Sequence, residues 1–222
     1  MSSKFRLYGL SLAVLLWSSL VIATDGGQQV DPILSYYCER AGAVFDSRNP
    51  LERGAVFSFR ARTYYMNIGD DGEVVRTDSS VTDYFYSFGQ LDSAHAIAAA
   101  KRSHRPIHVD VVNVFTKDYH FYFFPNDTGG EDMAVGFDSF SAEDPSPVGL
   151  AVFDRAEFFL KWLHLHYPNR ERYKRYSQSY RFVTRDEYVF PDSIWEVSAR
   201  RGIFSTEFLR TETGITDITI YR

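Results

Sequence analysis

The sequence predicts an α+β domain, mainly antiparallel β, that follows an export signal. Three observations lead to this fold class. Aromatic residues make up 17% of the 222 residues, and Phe and Tyr are enriched in strands. Several segments alternate between apolar and polar side chains, which is the period of a half-buried strand. Clusters of Gly, Pro, Asn and Asp separate these segments and are typical of turns.

The beginning of the chain has the order of a secretory signal. Lys4 and Arg6 supply a basic start, and the run that follows carries no charge. Val21 and Ala23 are the small residues expected just before a cleavage site. We therefore expect residues 1–23 to be a signal peptide that is removed. An uncleaved anchor is the alternative, because the run is near the lower length limit for crossing a bilayer.

The remaining chain, 24–222, is predicted to be a single antiparallel-sheet domain with covering helices. It has no second apolar run long enough to span a membrane. We expect the mature form not to span a membrane and to be periplasmic in a Gram-negative bacterium, or otherwise secreted. The net charge is −5 without a basic block, which argues against nucleic acid as a partner. Cys38 is the single cysteine, expected to be buried and unreactive.

Most of the chain reads as one helix followed by strands. Asp31 and Pro32 predict a helix that continues to about Phe45, because Asp caps a helix and Pro favours its first position. From Ala55 the side chains alternate between two faces with a period of two residues, which predicts a strand, and Gly69–Gly72 predicts a hairpin turn. One face of this strand carries Phe57, Phe59, Ala61, Thr63 and Tyr65. Further strands are predicted at 73–77, 81–88, 107–115, 119–124, 133–140, 179–184, 194–199, 203–211 and 216–221.

Two more helices are predicted between these strands. The alanine-rich segment 93–103 follows possible caps at Asp92 and Ser93, and Pro106 would end it. Residues 149–167 show polar side chains at three- and four-residue spacing with apolar side chains opposite, which is the pattern of an amphipathic helix. Within it, Glu157 and Lys161 are spaced for an i,i+4 ion pair.

Motifs that name a reaction or a metal are not found. His164 and His166 would face one way on a strand and could bind a metal, but they diverge on the predicted helix. The acidic residues between 127 and 138 fit no calcium loop. The segment 136–140 lacks the closing glycine of a nucleophile elbow, and no phosphate-binding glycine motif is present. We therefore predict no catalytic residue, metal or cofactor, and leave open whether the protein is an enzyme.

The aromatic side chains are the main functional signal. A sheet with aromatic residues on both faces must cover both, or leave one as an apolar surface for a ligand. Most of these residues are expected to form the core, and a subset is expected to line a cavity. The cavity-lining candidates are Phe57, Phe59, Tyr65, Tyr84, Tyr86, Phe88, Phe121, Phe123, Phe159 and Trp162.

The ending of the chain resembles a known family. The run Phe190-Pro191-Asp192-Ser193-Ile194-Trp195-Glu196-Val197, the run 202–208 and the last strand to Arg222 are similar to the closing strands of the bacterial outer-membrane lipoprotein carrier (LolA-like) superfamily. The resemblance implies a curved sheet or incomplete β-barrel covered by two or three helices. It also implies that helices at 93–103 and 149–167 form a lid over an apolar cavity that shelters lipid acyl chains.

Three functions are consistent with the sequence. The first is an exported, soluble envelope protein that binds or carries a lipid or other apolar ligand, for example a lipoprotein acyl chain, between sheet and helices. The second is an envelope assembly or protein-interaction module without a ligand. The third is a hydrolase whose site is assembled from distant residues without a motif.

Overall fold

The structure, a computed structural model, describes residues 31–100, 107, 109–116, 119–124, 130–139, 145–168, 173–201 and 206–222. The predicted signal at 1–23 lies outside the described residues, as do the last residues of the predicted 93–103 helix. Asp31–Arg222 clusters into one compact unit.

Ten strands form one open sheet over the described residues, and every neighbouring pair is antiparallel. This confirms the predicted fold class. The strand order is β3-β2-β1-β10-β9-β8-β7-β6-β5-β4, so that β3 and β4 form the two edges. The strands are β1 (Val56–Ile68), β2 (Val74–Ser87), β3 (Gln90–Ala98), β4 (Tyr119–Phe123), β5 (Asp132–Ser139), β6 (Val148–Asp154), β7 (Leu160–His166), β8 (Tyr173–Arg185), β9 (Tyr188–Arg201) and β10 (Thr206–Tyr221).

The predicted first helix is present as α1 (Pro32–Arg48), the single α-helix among the described residues. Asp31 caps it, since its Oδ1 accepts a hydrogen bond of 2.8 Å from the backbone N of Ile33. The buried side of α1 carries Leu34, Cys38, Ala41 and Phe45. Burial raises the pKa of the Cys38 thiol to about 12, which keeps it protonated and unreactive.

The sheet has an inner face, on which α1 packs, and an outer face. On β1 the inner face carries Phe57, Phe59, Ala61 and Thr63, all buried, as the period-two pattern predicts. The alternate residues Ser58, Arg60 and Arg62 point to the outer face. No helix in the described part of the chain is long and apolar enough to cross a membrane.

Stacked aromatic rings fill the inner face over β1 and β2. The Phe57 ring lies 5.0 Å from Tyr86, and the Phe59 ring lies 5.1 Å from Tyr84. Ile107 lies next to these rings, and its backbone N donates to the Tyr84 hydroxyl over 3.1 Å. The prediction of a strand at 107–115 is therefore wrong. The residues described there pack on the sheet as a covering segment that ends in a 3-10 turn, Val114–Thr116.

The predicted helix at 149–167 is wrong. The structure has two strands there, β6 and β7, joined by a turn in which Phe158 adopts a φ of 60°. Both faces of these strands are apolar in part. Ala151 and Leu163 are buried on the inner face, while Leu150 and Val152 are half-buried on the outer face. Two-sided apolar strands lose the clean alternation of period two, which is why the segment resembles a helix.

The turn between β6 and β7 also imitates a helix start. Asp154 Oδ1 accepts hydrogen bonds of 2.9 Å from the backbone N of both Ala156 and Glu157, as a helix cap would. The predicted ion pair of Glu157 with Lys161 is replaced by other partners. Lys161 Nζ contacts Asp132 and lies 3.1 Å from Asp154.

The predicted helix at 93–103 is wrong over its described part, which is strand β3. Alanine favours helices, but Ala94 and Ala96 pair with Tyr84 and Thr82 of β2. Tertiary pairing here overrides intrinsic propensity. Every residue of β3 is exposed, so this edge strand contributes little to the core.

Candidate functional site

Four of the ten cavity-lining candidates lie together in the inner core. Phe57, Phe59, Tyr84 and Tyr86 are buried and stack on one another at centroid distances of 5.0 to 6.3 Å. Burial raises the pKa of Tyr86 to about 12. These rings fill the space between β1, β2 and the covering segment, so they belong to the buried core.

The other candidates are more scattered. Tyr65 and Phe121 are half-buried on the inner face, and Phe123, also on that face, is 40% exposed. Phe159, in the turn before β7, is half-buried and packs against the core cluster. The remaining two lie elsewhere: Phe88 is exposed in the turn after β2, and Trp162 lies on the outer face beside Trp195.

A row of polar side chains crosses the inner face. Cross-strand partners share a face of an antiparallel sheet, and the pairings Asp78–Tyr65, Tyr65–Thr211, Thr211–Glu196 and Glu196–Gln178 link five neighbouring strands from β2 to β8. All five residues are half-exposed. We call Asp78, Tyr65, Thr211, Glu196 and Gln178 the inner polar row.

Buried hydroxyl groups border the inner polar row on the side of the aromatic core. Thr63 and Thr213 are both buried, and their Oγ1 atoms form a hydrogen bond of 3.0 Å. The Tyr65 hydroxyl lies 3.3 Å from Ser80 Oγ. Burial raises the pKa values of Tyr65 and Tyr180, so both phenols keep their protons at neutral pH. This face can therefore donate and accept hydrogen bonds next to the buried aromatic core.

Sequence reasoning missed the inner polar row, although a signal for it exists. Tyr65 and Glu196 each follow a buried inner-face residue by two positions, and Gln178 and Thr211 each precede one by two. These polar residues are thus in phase with the core-facing positions of their strands. Continuing the inner phase past the last apolar residue of each strand would have found the row.

The outer face brings together two histidines that were expected to diverge. Because β7 is a strand, His164 and His166 point to the same side. His164 Nδ1 lies 2.8 Å from Ser179 Oγ. Burial, with His166 and Arg175 nearby, lowers the pKa of His164 to about 4. Burial and Arg175 also lower the pKa of His166.

A serine beside a histidine is the arrangement of an activated nucleophile. Here the histidine is a weak base, since its pKa of about 4 lies far below the neutral range that suits general-base catalysis. The His164–Ser179 contact therefore does not favour the hydrolase hypothesis. Among the described residues, no group of three or more His, Cys, Asp or Glu side chains is placed to hold a metal ion.

Indole rings and ion pairs cover the neighbouring part of the outer face. The Trp162 and Trp195 rings have centroids 5.1 Å apart. Arg181 binds Asp192 through two hydrogen bonds of 2.8 Å. Arg181 and Asp192 therefore neutralise each other's charge on this face.

No family model and no curated protein matches the chain. Solved structures that are similar to it include two with LolA-like descriptions. One is a LolA superfamily protein from Nitrosomonas europaea, at 10% identity and a TM-score of 0.38, which covers 85% of this chain and 94% of that one. The other is a domain named for outer membrane lipoprotein sorting, from Vibrio parahaemolyticus, at 8% identity and a TM-score of 0.39, covering 82% of this chain and 91% of that one.

At these identities and TM-scores the likeness carries no argument about a ligand or a partner. The distant LolA-like resemblance predicted from the ending of the sequence is found again in this comparison of structures.

Proposed function

We propose that the chain is an exported protein that binds an amphipathic, lipid-like ligand against the inner face of its sheet. The observation that carries the proposal is the inner polar row, which lies half-exposed beside a buried aromatic core. Binding sites for small molecules combine an apolar lining with a few polar groups that orient the ligand. Export rests on the sequence of residues 1–23.

The area of the inner face supports this proposal. Ten strands at about 4.8 Å spacing span roughly 43 Å, whereas a helix with its side chains is about 10–12 Å wide. α1 packs mainly against the 3-10 turn, β4 and β9, and the covering segment lies over Tyr84 and Tyr86 of β2. The inner polar row lies in the part of this face that keeps some exposure to solvent.

The chemistry of the row restricts the ligand. Its half-exposed groups are hydroxyls, an amide and the carboxyl groups of Asp78 and Glu196. A purely apolar ligand would displace water from these half-exposed groups and offer no hydrogen bond in its place, which costs free energy. An anionic head group would face two acidic side chains. We therefore expect a ligand with a hydroxylated or cationic head and an apolar tail, the tail lying toward half-buried Leu209 on β10.

A filling substitution tests the proposal. Thr211→Trp places a large ring in the middle of the inner polar row, and Thr216→Trp places the same ring on the exposed outer face of the same strand. We expect wild type and Thr216→Trp to bind a fluorescent monoacylglycerol analogue and Thr211→Trp to bind it at least about tenfold more weakly, since the ring occupies the ligand's space.

Native mass spectrometry of the gently purified protein should also show co-purified lipid in wild type and not in Thr211→Trp. Thermal unfolding checks that both variants are folded. Equal binding by the two variants, or a wild-type protein that is empty and binds none of the probe, would overturn the proposal.

One observation favours the alternative of a protein-interaction module. β3 has a single strand neighbour, β2, among the described residues, and its exposed side chains include Leu91 and Ile97. An exposed edge with few charges is suited to pairing with a strand of another protein. If this is the function, Ile97→Lys should abolish pairing of this edge with a partner strand, and the wild-type protein should bind none of the monoacylglycerol analogue.

A further inference from the structure

The outer face of β7 carries two imidazoles in a regular geometry. His164 and His166 are two positions apart on a strand, which places their Cα atoms about 6.6 Å apart with both side chains on one side. Imidazole nitrogens bind zinc at about 2.0–2.1 Å. Two histidines at this spacing can therefore converge on one ion, which they could not do on a helix.

Each imidazole already has one nitrogen held by a partner. His164 Nδ1 forms its 2.8 Å contact with Ser179 Oγ on the neighbouring strand β8. His166 makes a hydrogen bond to the backbone of Tyr176, also on β8. Histidines that bind metals usually donate their second nitrogen to such an oxygen, which fixes the ring and leaves the other nitrogen for the ion.

We propose that His164 and His166 form a two-histidine site for a divalent transition-metal ion on the outer face of the sheet. His164 binds through Nε2, and His166 binds through the nitrogen that does not contact Tyr176. Water or a donor atom from another molecule completes the coordination. The site is independent of the proposed ligand on the inner face.

The surroundings determine which ions are favoured. Nitrogen ligands suit copper, nickel and zinc, whereas magnesium and calcium require oxygen ligands. With the same ligands, Cu²⁺ binds more tightly than Zn²⁺ or Ni²⁺. Arg175 acts on both histidines as a nearby positive charge, and this charge weakens binding of any cation. Since structural zinc sites use four protein ligands, a site with two is open and suited to exchange.

Isothermal titration of the untagged protein with Cu²⁺ and Zn²⁺ tests the site. We expect one Cu²⁺ per chain, bound more tightly than Zn²⁺. His166→Ala and His164→Ala should each lose more than the roughly 10–100-fold that follows loss of an outer partner, and Ser179→Ala should lose about tenfold. His120→Ala is the matched control, because His120 is a half-buried histidine on the same face at edge strand β4, and it should bind as wild type does.

A variant that is expected to bind Cu²⁺ more tightly gives a second test of the site. Arg175→Gln removes the nearby positive charge from an exposed position on β8 and should tighten Cu²⁺ binding several-fold. Circular dichroism confirms that each variant is folded, and His166→Ala carries the test if His164→Ala does not fold. Equal Cu²⁺ affinity in wild type and His166→Ala, or a loss in His120→Ala as large as in His166→Ala, would overturn the proposal.

Discussion

The two faces of the same sheet have different chemistry. On the inner face, Phe57 and its neighbours pack into a buried aromatic core under α1 and the covering segment. On the outer face, Arg60 pairs with Asp83 at 2.7 Å and Trp162 pairs with Trp195, and these side chains remain partly exposed. Alternate residues of one strand thus either pack in the buried core or form partly exposed contacts on the outer face. The comparison indicates that stability comes mainly from the inner face, so the outer face can change at little cost.

The largest expected effect separates a buried from an exposed phenylalanine. Phe57 is 0% exposed and Phe88 is 81% exposed. We expect Phe57→Ala to lower the free energy of unfolding by about 3–5 kcal/mol, since it leaves a cavity between stacked rings. Phe88→Ala should change it by less than about 0.5 kcal/mol. Denaturant unfolding of both variants measures the difference, and equal losses would contradict the placement of Phe57 in the buried core and of Phe88 in an exposed turn.

A smaller effect is expected for the buried hydroxyl pair of the inner face. Thr63→Val or Thr213→Val alone leaves one buried hydroxyl without its 3.0 Å partner and should cost about 1–3 kcal/mol. The double variant should cost less than the sum of the two, because both polar groups are then removed together. A double-mutant cycle from unfolding curves gives the coupling free energy. Simple additivity would show that the pair does not interact.

The smallest effect is expected at Asp138, on the outer face of β5. Its Oδ1 is buried and has no hydrogen-bond partner among the described residues. Burial raises the pKa of this carboxyl above 3.8, and His120 opposes the shift. A raised acid pKa means that folding disfavours the charged form, so this destabilisation is present at neutral pH and disappears as the pH falls below 3.8.

Asp138→Asn should therefore stabilise the protein at neutral pH by less than about 1 kcal/mol, because the side chain is partly exposed and screened by water. The advantage over wild type should vanish in acid. Unfolding curves of both proteins across this pH range check the sign, and an advantage that grows in acid would show that the carboxylate is stabilised in the folded state.

Sequence patterns within a few residues correctly predicted the first helix, the first strand and the turn that follows it. The cap at Asp31, the alternation through Phe57 and Thr63, and the turn at Gly69–Gly72, where Gly72 has a φ of 82°, all follow from backbone chemistry within a few residues. Each of these features has one apolar side or one conformational requirement. For that reason sequence reasoning and the structure agree there.

The two helix predictions that were wrong fall on strands whose partners decide their structure. Pairing with β2 makes a strand of the alanine-rich segment around Ala94 and Ala96. Apolar side chains on both faces, such as Leu150 and Leu163, hide the period of two in β6 and β7. The phase within each strand places Tyr65 and Glu196 on the inner face, but only the pairing of β1, β10 and β9 brings them into one row.

The contact between Trp162 and Trp195 provides an optical reporter. The chain has three tryptophans, and the third, Trp17, belongs to the predicted signal peptide. In a protein cleaved after Ala23, all indole fluorescence therefore comes from two rings whose centroids are 5.1 Å apart. Rings at this separation exchange excitation energy. Emission of the mature protein would thus report events on the outer face of the sheet, while a ligand on the inner face would leave it almost unchanged.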